Sequence, residues 1–262
     1  MFNDKISKNL QINPMDLTGK RVLVTGGSSG IGLGVAELLS KLGARLVLVG
    51  RNLARLELAM NRLEGCGHAI EVYDLLNSEG IAMWVKDLAT RGGRIDGVVH
   101  SAGVFSTKPL RIMGASDWDL SMRINVTAGA ALVKGFRQPG VNNEGGSVVF
   151  ISSVMGLTGK PGQILYSATK GALISMTRSM ALELAKDAIR VNCVAPAVIS
   201  TGMSENLEKR LTSEQFDAIV KEHPLGLGTA EDVANAVAFL VARTSRWITG
   251  TTLVVDGGYT AQ

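Results

Sequence analysis

Arg21-Val22-Leu23-Val24-Thr25-Gly26-Gly27-Ser28-Ser29-Gly30-Ile31-Gly32 decides the fold of this chain. Its first five residues form a short apolar run rich in β-branched side chains, the composition of a strand buried on both faces. A helical pattern follows, with Val35, Leu38, Leu39 and Leu42 in register and Gly43 where a helix C-cap would sit. Between the two, glycines let the backbone turn tightly. Strand, glycine turn and helix N-terminus make an anion site, because free N–H groups and the positive end of the helix dipole converge on one point. The spacing is G-x-x-x-G-x-G, so the common G-x-G-x-x-G fingerprint fails literally. Taken alone, the turn is equally well a tight connection. In its strand–turn–helix setting, phosphate binding is the stronger reading.

The same alternation repeats outward from this unit. Strand patterns recur at 21–25, 45–50, 68–73, 95–100, 146–152, 189–195 and 251–255, and helical patterns at about 30–42, 52–64, 78–91, 116–137, 165–186 and 230–243. This predicts right-handed crossovers and an α/β fold: one doubly wound parallel sheet of about seven strands with helices on both faces. Ligands bind beyond the carboxyl ends of such strands, near the switch in strand order. The glycine turn, Arg51, Asp74, Gly103, Ser153 and Pro196 all fall at or just after predicted strand ends. Residues 1–15 read as a short N-terminal extension and 16–262 as a single domain, with no internal repeat or linker.

Composition sets further bounds. With 262 residues, 46% hydrophobic and 19% charged, the chain can bury one sizeable core. A net charge of +4 with scattered Lys and Arg gives little attraction for nucleic acid or membranes. Cys66 and Cys193 show no metal spacing and suit a reducing compartment, each as a small buried or half-buried hydrophobe. No metal site is expected. No apolar run reaches the ~18 residues of a membrane span. Met1 to Pro14 is polar and lacks the apolar core of a signal peptide, which predicts a cytoplasmic location.

Tyr166 and Lys170 stand four residues apart in Tyr166-Ser167-Ala168-Thr169-Lys170, with Ser153 upstream. Residues at i and i+4 share one helix face. A tyrosine has an ordinary pKa of roughly 10 and is a poor acid–base catalyst near neutrality. A neighbouring ammonium favours the phenolate and is expected to pull that pKa down toward the useful range. Such a pair also occurs by chance on surface helices, so its weight comes from the rest of the chain.

With glycine turn and Tyr–Lys pair in one chain, the sequence resembles the short-chain dehydrogenase/reductase family from about Leu17 to Tyr259. Thr25-Gly26-x-x-x-Gly30-Ile31-Gly32 resembles the family's cofactor turn, and Asp74 sits where an acidic residue holds the adenine. His100-Ser101-Ala102-Gly103 stands where Asn-Asn-Ala-Gly is usual. Asn125, Ser153, Tyr166 and Lys170 match the catalytic tetrad, and Val255-Asp256-Gly257-Gly258 the closing segment. The resemblance implies a Rossmann-type NAD(P)-binding domain and a homotetramer. It also implies cofactor contacts at Gly26, Ser28, Ser29, Gly30, Ile31, Gly32, Arg51, Asp74, Leu75, Ala102, Gly103, Tyr166, Lys170, Pro196, Ile199 and Thr201. In the roles it implies, Tyr166 passes a proton to the developing alkoxide, and Ser153 donates to the same oxygen. Lys170 tunes Tyr166 and holds the nicotinamide ribose, and Asn125 anchors a relay water. Asn125 also reads as an interior polar residue satisfied locally. Ser152 competes with Ser153, but only Ser153 has the family's spacing to Tyr166. Pro196 is followed by Ala197 where relatives usually have Gly.

Arg51 speaks to cofactor choice. The second strand ends Val49-Gly50-Arg51-Asn52, with glycine where NAD-preferring relatives carry Asp. An arginine there can meet a 2′-phosphate with a charge-assisted contact, which predicts NADPH preference. A solvated arginine at a helix start is the bland alternative. Substrate choice is assigned to residues 198–228, an amphipathic stretch (Met203, Leu207, Leu211, Phe216, Ile219, Val220) that reads as a helical lid or as ordinary packing. Val104, Phe105, Val154, Met155, Leu157 and Ile164 are expected to complete an apolar pocket for a hydrophobic small-molecule ketone. A 3-oxoacyl-acyl-carrier-protein reductase-like activity is favoured by resemblance. The alternatives are an NAD-dependent alcohol dehydrogenase and a catalytically idle dinucleotide-binding regulator. His100 reads as a strand-end histidine bonded to backbone and His223 as loop structure. Trp247 and Tyr259 read as interface anchors or core.

Overall fold

The protein is described by a computed structural model covering residues 13–200 and 212–261. In chain order come β1 (Arg21–Thr25), α1 (Gly30–Lys41), β2 (Arg45–Gly50), α2 (Leu53–Met60), β3 (Ala69–Val72), α3 (Ile81–Gly92) and β4 (Ile95–His100). Next are α4 (Ala115–Met122), a π turn (Arg123–Thr127), α5 (Ala128–Phe136), β5 (Asn142–Ile151), α6 (Ile164–Leu184) and β6 (Arg190–Pro196). The chain closes with β7 (Ile199–Ser200), α7 (Ser213–Lys221), β8 (Gly228–Thr229), α8 (Ala230–Val241) and β9 (Thr252–Val255).

Seven strands pair in the order β3-β2-β1-β4-β5-β6-β9, every pair parallel. The order runs outward from β1 to β3, then restarts at β4 on the other side of β1. The switch point therefore lies between β1 and β4, where Thr25 is in register with His100. Loops leaving these two strands diverge and open a crevice.

Alternation along each strand feeds two cores. Leu23 packs with Val85, Leu132, Phe136, Phe150 and Leu173 on the face covered by α3, α5 and α6. Val22 and Val24 pack with Leu39, Leu46, Leu56, Val233 and Val237 under α1, α2 and α8. Burying one such aliphatic or aromatic side chain contributes roughly 1.5–3 kcal/mol. Because both faces are covered, the strands read as continuous apolar runs rather than alternating ones.

Five features differ from the sequence expectation. The helix expected over 116–137 is divided by the π turn, because i→i+5 bonding changes the apolar period too little for a pattern to register. Strand β5 begins at Asn142 rather than 146, since an irregularity opposite Ile95 and Gly97 extends the pairing. The segment 198–228 holds the short β7–β8 pair and the capped helix α7; Thr201, Met203, Leu207 and Leu211 lie outside the described residues. Cys66 is exposed in the loop before β3, whereas Cys193 is buried as expected. Trp247 is 90% exposed, which removes the core reading for it.

Candidate active site

The glycine turn is forced by close approach. Gly26 has φ +69°, and a Cβ there would lie 2.9 Å from the Ala102 amide nitrogen. A Cβ on Gly32 would lie 2.8 Å from the Gly26 carbonyl carbon, so α1 starts directly against the turn. Ser29, the N-cap of α1, is extended, and its side chain makes no capping bond. The first-turn N–H groups therefore have neither an intrahelical acceptor nor a capping hydroxyl. Opposite, the Thr25 hydroxyl accepts from Ala102 N (3.2 Å) and pairs with His100 Nδ1 (2.9 Å). These two bonds tie the floor of the crevice together across the switch point. His100 thus gains a side-chain partner that the sequence did not announce, a hydroxyl 75 positions away, beside the backbone of Asn125 and Ile124.

The other cofactor candidates rim the same edge. Arg51 is exposed just before α2, and Asn52 caps that helix by accepting from Arg55 N (3.0 Å). Exposed Asp74 follows β3 and accepts from Leu76 N (3.0 Å), while Leu75 is buried beside it. Pro196 ends β6, Ala197 N donates to Val255 O (3.2 Å), and Ile199 is buried in β7. Gly103 stands over the innermost part, where a Cβ would be 3.1 Å from Asn125 Oδ1 and 3.7 Å from Lys170 Nζ. The turn, Ala102 and Gly103 form a cradle with no room for side chains, which fits a flat dinucleotide lying against backbone. No cluster of three or more metal-ligating side chains occurs among the described residues.

Tyr166 lies in the first turn of α6, facing the end of β5. The Ser153 hydroxyl lies near enough to the Tyr166 phenol to favour its ionised form, and it accepts from Met155 N (3.2 Å). Ser152 points elsewhere, donating to the Lys170 carbonyl (2.8 Å). Asn125, in the π turn, is 1% exposed and fully engaged. Its Oδ1 accepts from Val104 N (2.8 Å), and its Nδ2 donates to Val104 O and Thr169 Oγ1 (both 3.0 Å). Thr169 in turn donates to Tyr166 O (2.9 Å). Thr169 carries no sequence signal of its own, because its partners come from other segments. The side chain of Asn125 has no free donor left for a water.

Lys170 departs from the sequence expectation. Its ammonium sits 5.5 Å from the Tyr166 ring centroid and donates to Ile151 O (2.7 Å), so it faces a strand carbonyl rather than the phenol oxygen. Burial pushes the Lys170 pKa down to about 8. Burial also pushes the Tyr166 phenol up, with the nearby Ser153 hydroxyl opposing it. The i,i+4 geometry holds, with the ammonium beside the ring and its hydrogen bond directed to the Ile151 carbonyl. Phe105 contributes to the burial, its ring edge-on to Tyr166 with centroids 5.0 Å apart.

The expected apolar lining is split. Val154 and Met155 are buried, whereas Phe105, Leu157 and Ile164 remain exposed at the mouth. Lys160, in the loop before α6, pairs with Glu222 just past α7 (2.6 Å). His223 lies in the loop just past α7, as expected, and is buried there, with Nδ1 against Ile219 O (2.7 Å) and its ring 5.0 Å from Tyr259.

A seven-stranded parallel sheet with a glycine cradle at its switch point and a Ser–Tyr pair beside it defines a dinucleotide-dependent oxidoreductase. The family described as enoyl-(acyl carrier protein) reductase matches residues 26–260, and the chain belongs to the short-chain dehydrogenase/reductase family, whose members act on carbonyl and alcohol groups with NAD(P). Among curated relatives, a 3-oxoacyl-[acyl-carrier-protein] reductase FabG of Rickettsia prowazekii is 39% identical over 93% of this chain and 98% of its own. One from Chlamydia pneumoniae is 36% identical over 94% and 100%. Among solved structures, a dehydrogenase/reductase from Sinorhizobium meliloti superposes with TM-score 0.85 at 30% identity, covering 94% of this chain and 97% of that one. ElxO with NADP bound gives 0.82 at 31%, covering 93% and 99%. No helix among the described residues is long and apolar enough to cross a membrane.

Proposed function

We propose that this protein reduces the ketone of a 3-oxoacyl thioester, or a comparable hydrophobic ketone, to a secondary alcohol with NADPH. The observation carrying the reading is the Ser153 hydroxyl beside the Tyr166 phenol at the carboxyl end of β5, with Asn125 bonded to Thr169, Thr169 to Tyr166 O and Lys170 to Ile151 O. The full-length similarity to FabG reductases supports the substrate class.

The coenzyme, when bound, supplies the hydride. Gly26, Ser28, Ser29, Gly30, Ile31 and Gly32 would hold its pyrophosphate and Arg51 a 2′-phosphate. Asp74 and Leu75 would flank the adenine, and Ala102, Gly103, Pro196, Ile199 and Thr201 the remainder. Tyr166 gives its phenolic proton to the alkoxide oxygen as that charge develops, and Ser153 donates a hydrogen bond to the same atom. Near neutral pH the phenol carries its proton, which is the form that reduction needs. Lys170, 5.5 Å from the Tyr166 ring centroid, would hold the nicotinamide ribose. The reading places the enzyme in the cytoplasm as one domain over 16–262 and as a homotetramer; exposed Leu182 and Trp247 suit such contacts.

The test is NADPH absorbance with purified protein and, in separate assays, 3-oxoacyl and 2-enoyl thioesters. Consumption with the 3-oxoacyl compound, and little with the enoyl one, is expected. A preference for the enoyl compound would overturn the substrate class. Coenzyme binding without turnover on any ketone would instead support an idle dinucleotide-binding regulator.

Phe105 gives a sharper check of the buried phenol. Phe105→Ala should admit water to Tyr166 and lower its pKa toward the ordinary value of roughly 10. Alcohol oxidation needs the tyrosinate, so the rising limb of its pH–rate profile should move to lower pH. An unmoved limb would show that this ring does not shield the phenol.

A further inference from the structure

His100 is fully buried at the end of β4, directly beneath the site, and the chemistry above does not use it. Its protonation can be worked out from its neighbours. Thr25 Oγ1 accepts from Ala102 N, and Thr25 is itself fully buried. The one hydroxyl proton then needs an acceptor, and His100 Nδ1 at 2.9 Å is the acceptor at hand. If Nδ1 carried the hydrogen, the Thr25 proton would be buried with nothing to receive it, at a cost of roughly 1–3 kcal/mol. The imidazole proton therefore belongs on Nε2.

Nε2 is buried and has no hydrogen-bond partner at full geometry. The backbone of Asn125 and Ile124, in the π turn, interacts with the ring, and with Nδ1 taken by Thr25 this assigns those carbonyls to Nε2; Lys170 is the charged group felt by the ring. The ring also lies against the backbone of α5: a Cβ on Gly129 would be 3.0 Å from His100 Cδ2 and 3.4 Å from Nε2. A π turn is a local departure from the i→i+4 ladder and recurs at functional sites. An Nε2–H aimed at these carbonyls gives the turn an additional tie. Buried in this way and repelled by Lys170, the ring has its pKa pushed down to about 4, so it stays neutral in ordinary conditions.

We infer that His100 is a positioning residue: a neutral, Nε2-protonated imidazole that holds the π turn, and through it the Asn125 clamp on Val104 and Thr169. One ring nitrogen is bound to the Thr25–Ala102 floor and the other faces the turn that carries Asn125. The ring thus couples the two halves of the site across the switch point. An Asn at this position, the residue usual in the family, is too short to reach both sides. Its amide can replace Nδ1 but not Nε2. Glutamine can replace Nε2.

The test has a spectroscopic arm independent of any substrate and a kinetic arm that rests on the proposed reductase activity. The chain has three histidines, so ¹⁵N-histidine labelling gives three imidazole patterns, and loss of one in His100→Gln assigns it. The expected pattern is a neutral Nε2–H tautomer that does not titrate from about pH 5 to about pH 9. An Nδ1–H tautomer, or titration near the ordinary histidine value, overturns the inference. In the kinetic arm, His100→Leu should lower kcat roughly tenfold with both KM values changed by less than about twofold, while His100→Gln recovers most of the loss. A Leu variant with wild-type kcat overturns it too. The expected tautomer in a protein that reduces no ketone would leave this inference standing and sink the reductase reading alone.

Discussion

Tyr166→Phe is expected to bind NADPH as tightly as the wild-type protein and to reduce its ketone about 10³-fold more slowly. The substitution removes one oxygen. The ring remains edge-on to Phe105 and the helix α6 keeps its Thr169 and Asn125 contacts, so neither the fold nor the cradle should notice. What disappears is the only phenolic proton beside Ser153. Ser153 remains as a hydrogen-bond donor, so some residual rate is expected. The check is kcat at saturating NADPH together with a coenzyme Kd from fluorescence. A variant with wild-type turnover would mean that the proton comes from somewhere else.

The second large effect is expected at the other end of the crevice. Arg51→Asp should reverse the coenzyme preference, changing the NADPH:NADH ratio of kcat/KM by roughly 10²-fold or more. A charge-assisted hydrogen bond contributes about 1.5–3 kcal/mol, and a carboxylate in its place repels the 2′-phosphate as well. Arg51 takes part in none of the salt bridges seen among the described residues, so its removal disturbs no existing partner. Gly50 supports the same view. A side chain there would start 3.3 Å from Leu56 and 3.5 Å from Ser28 Oγ, so an acidic residue at position 50 would be crowded toward the glycine turn. Unchanged preference in Arg51→Asp would reduce this arginine to a solvated helix start.

The parts of the molecule that were legible in the sequence are those in which a backbone constraint leaves a residue type behind. Gly26 and Gly32 are glycines because Ala102 and Gly26 itself approach too closely for a Cβ. The strands are apolar throughout because helices cover both faces. Ser153 and Tyr166 could be paired because spacing and strand end coincide. What was not legible involves partners without a side-chain signature. Lys170 was expected to act on the phenol, yet the acceptor it finds is the Ile151 carbonyl, which any residue could supply. The π turn hides within an ordinary helical period. The Thr25–His100 bond joins two strands whose register, not their sequence, brings them together. His223 is loop structure beside a proline, and only its enclosure by Ile219 and Tyr259 has no signal in the sequence.

All of these roles require the dinucleotide to lie along the strand ends with its nicotinamide beside the Ser153–Tyr166 pair. A crystal structure of the protein with NADP(H) tests that directly. The account predicts the pyrophosphate on the turn from Gly26 to Gly32, the 2′-phosphate at Arg51, and the Tyr166 hydroxyl facing the carbon that carries the hydride. Coenzyme bound elsewhere, or a phenol turned away from that carbon, would contradict it.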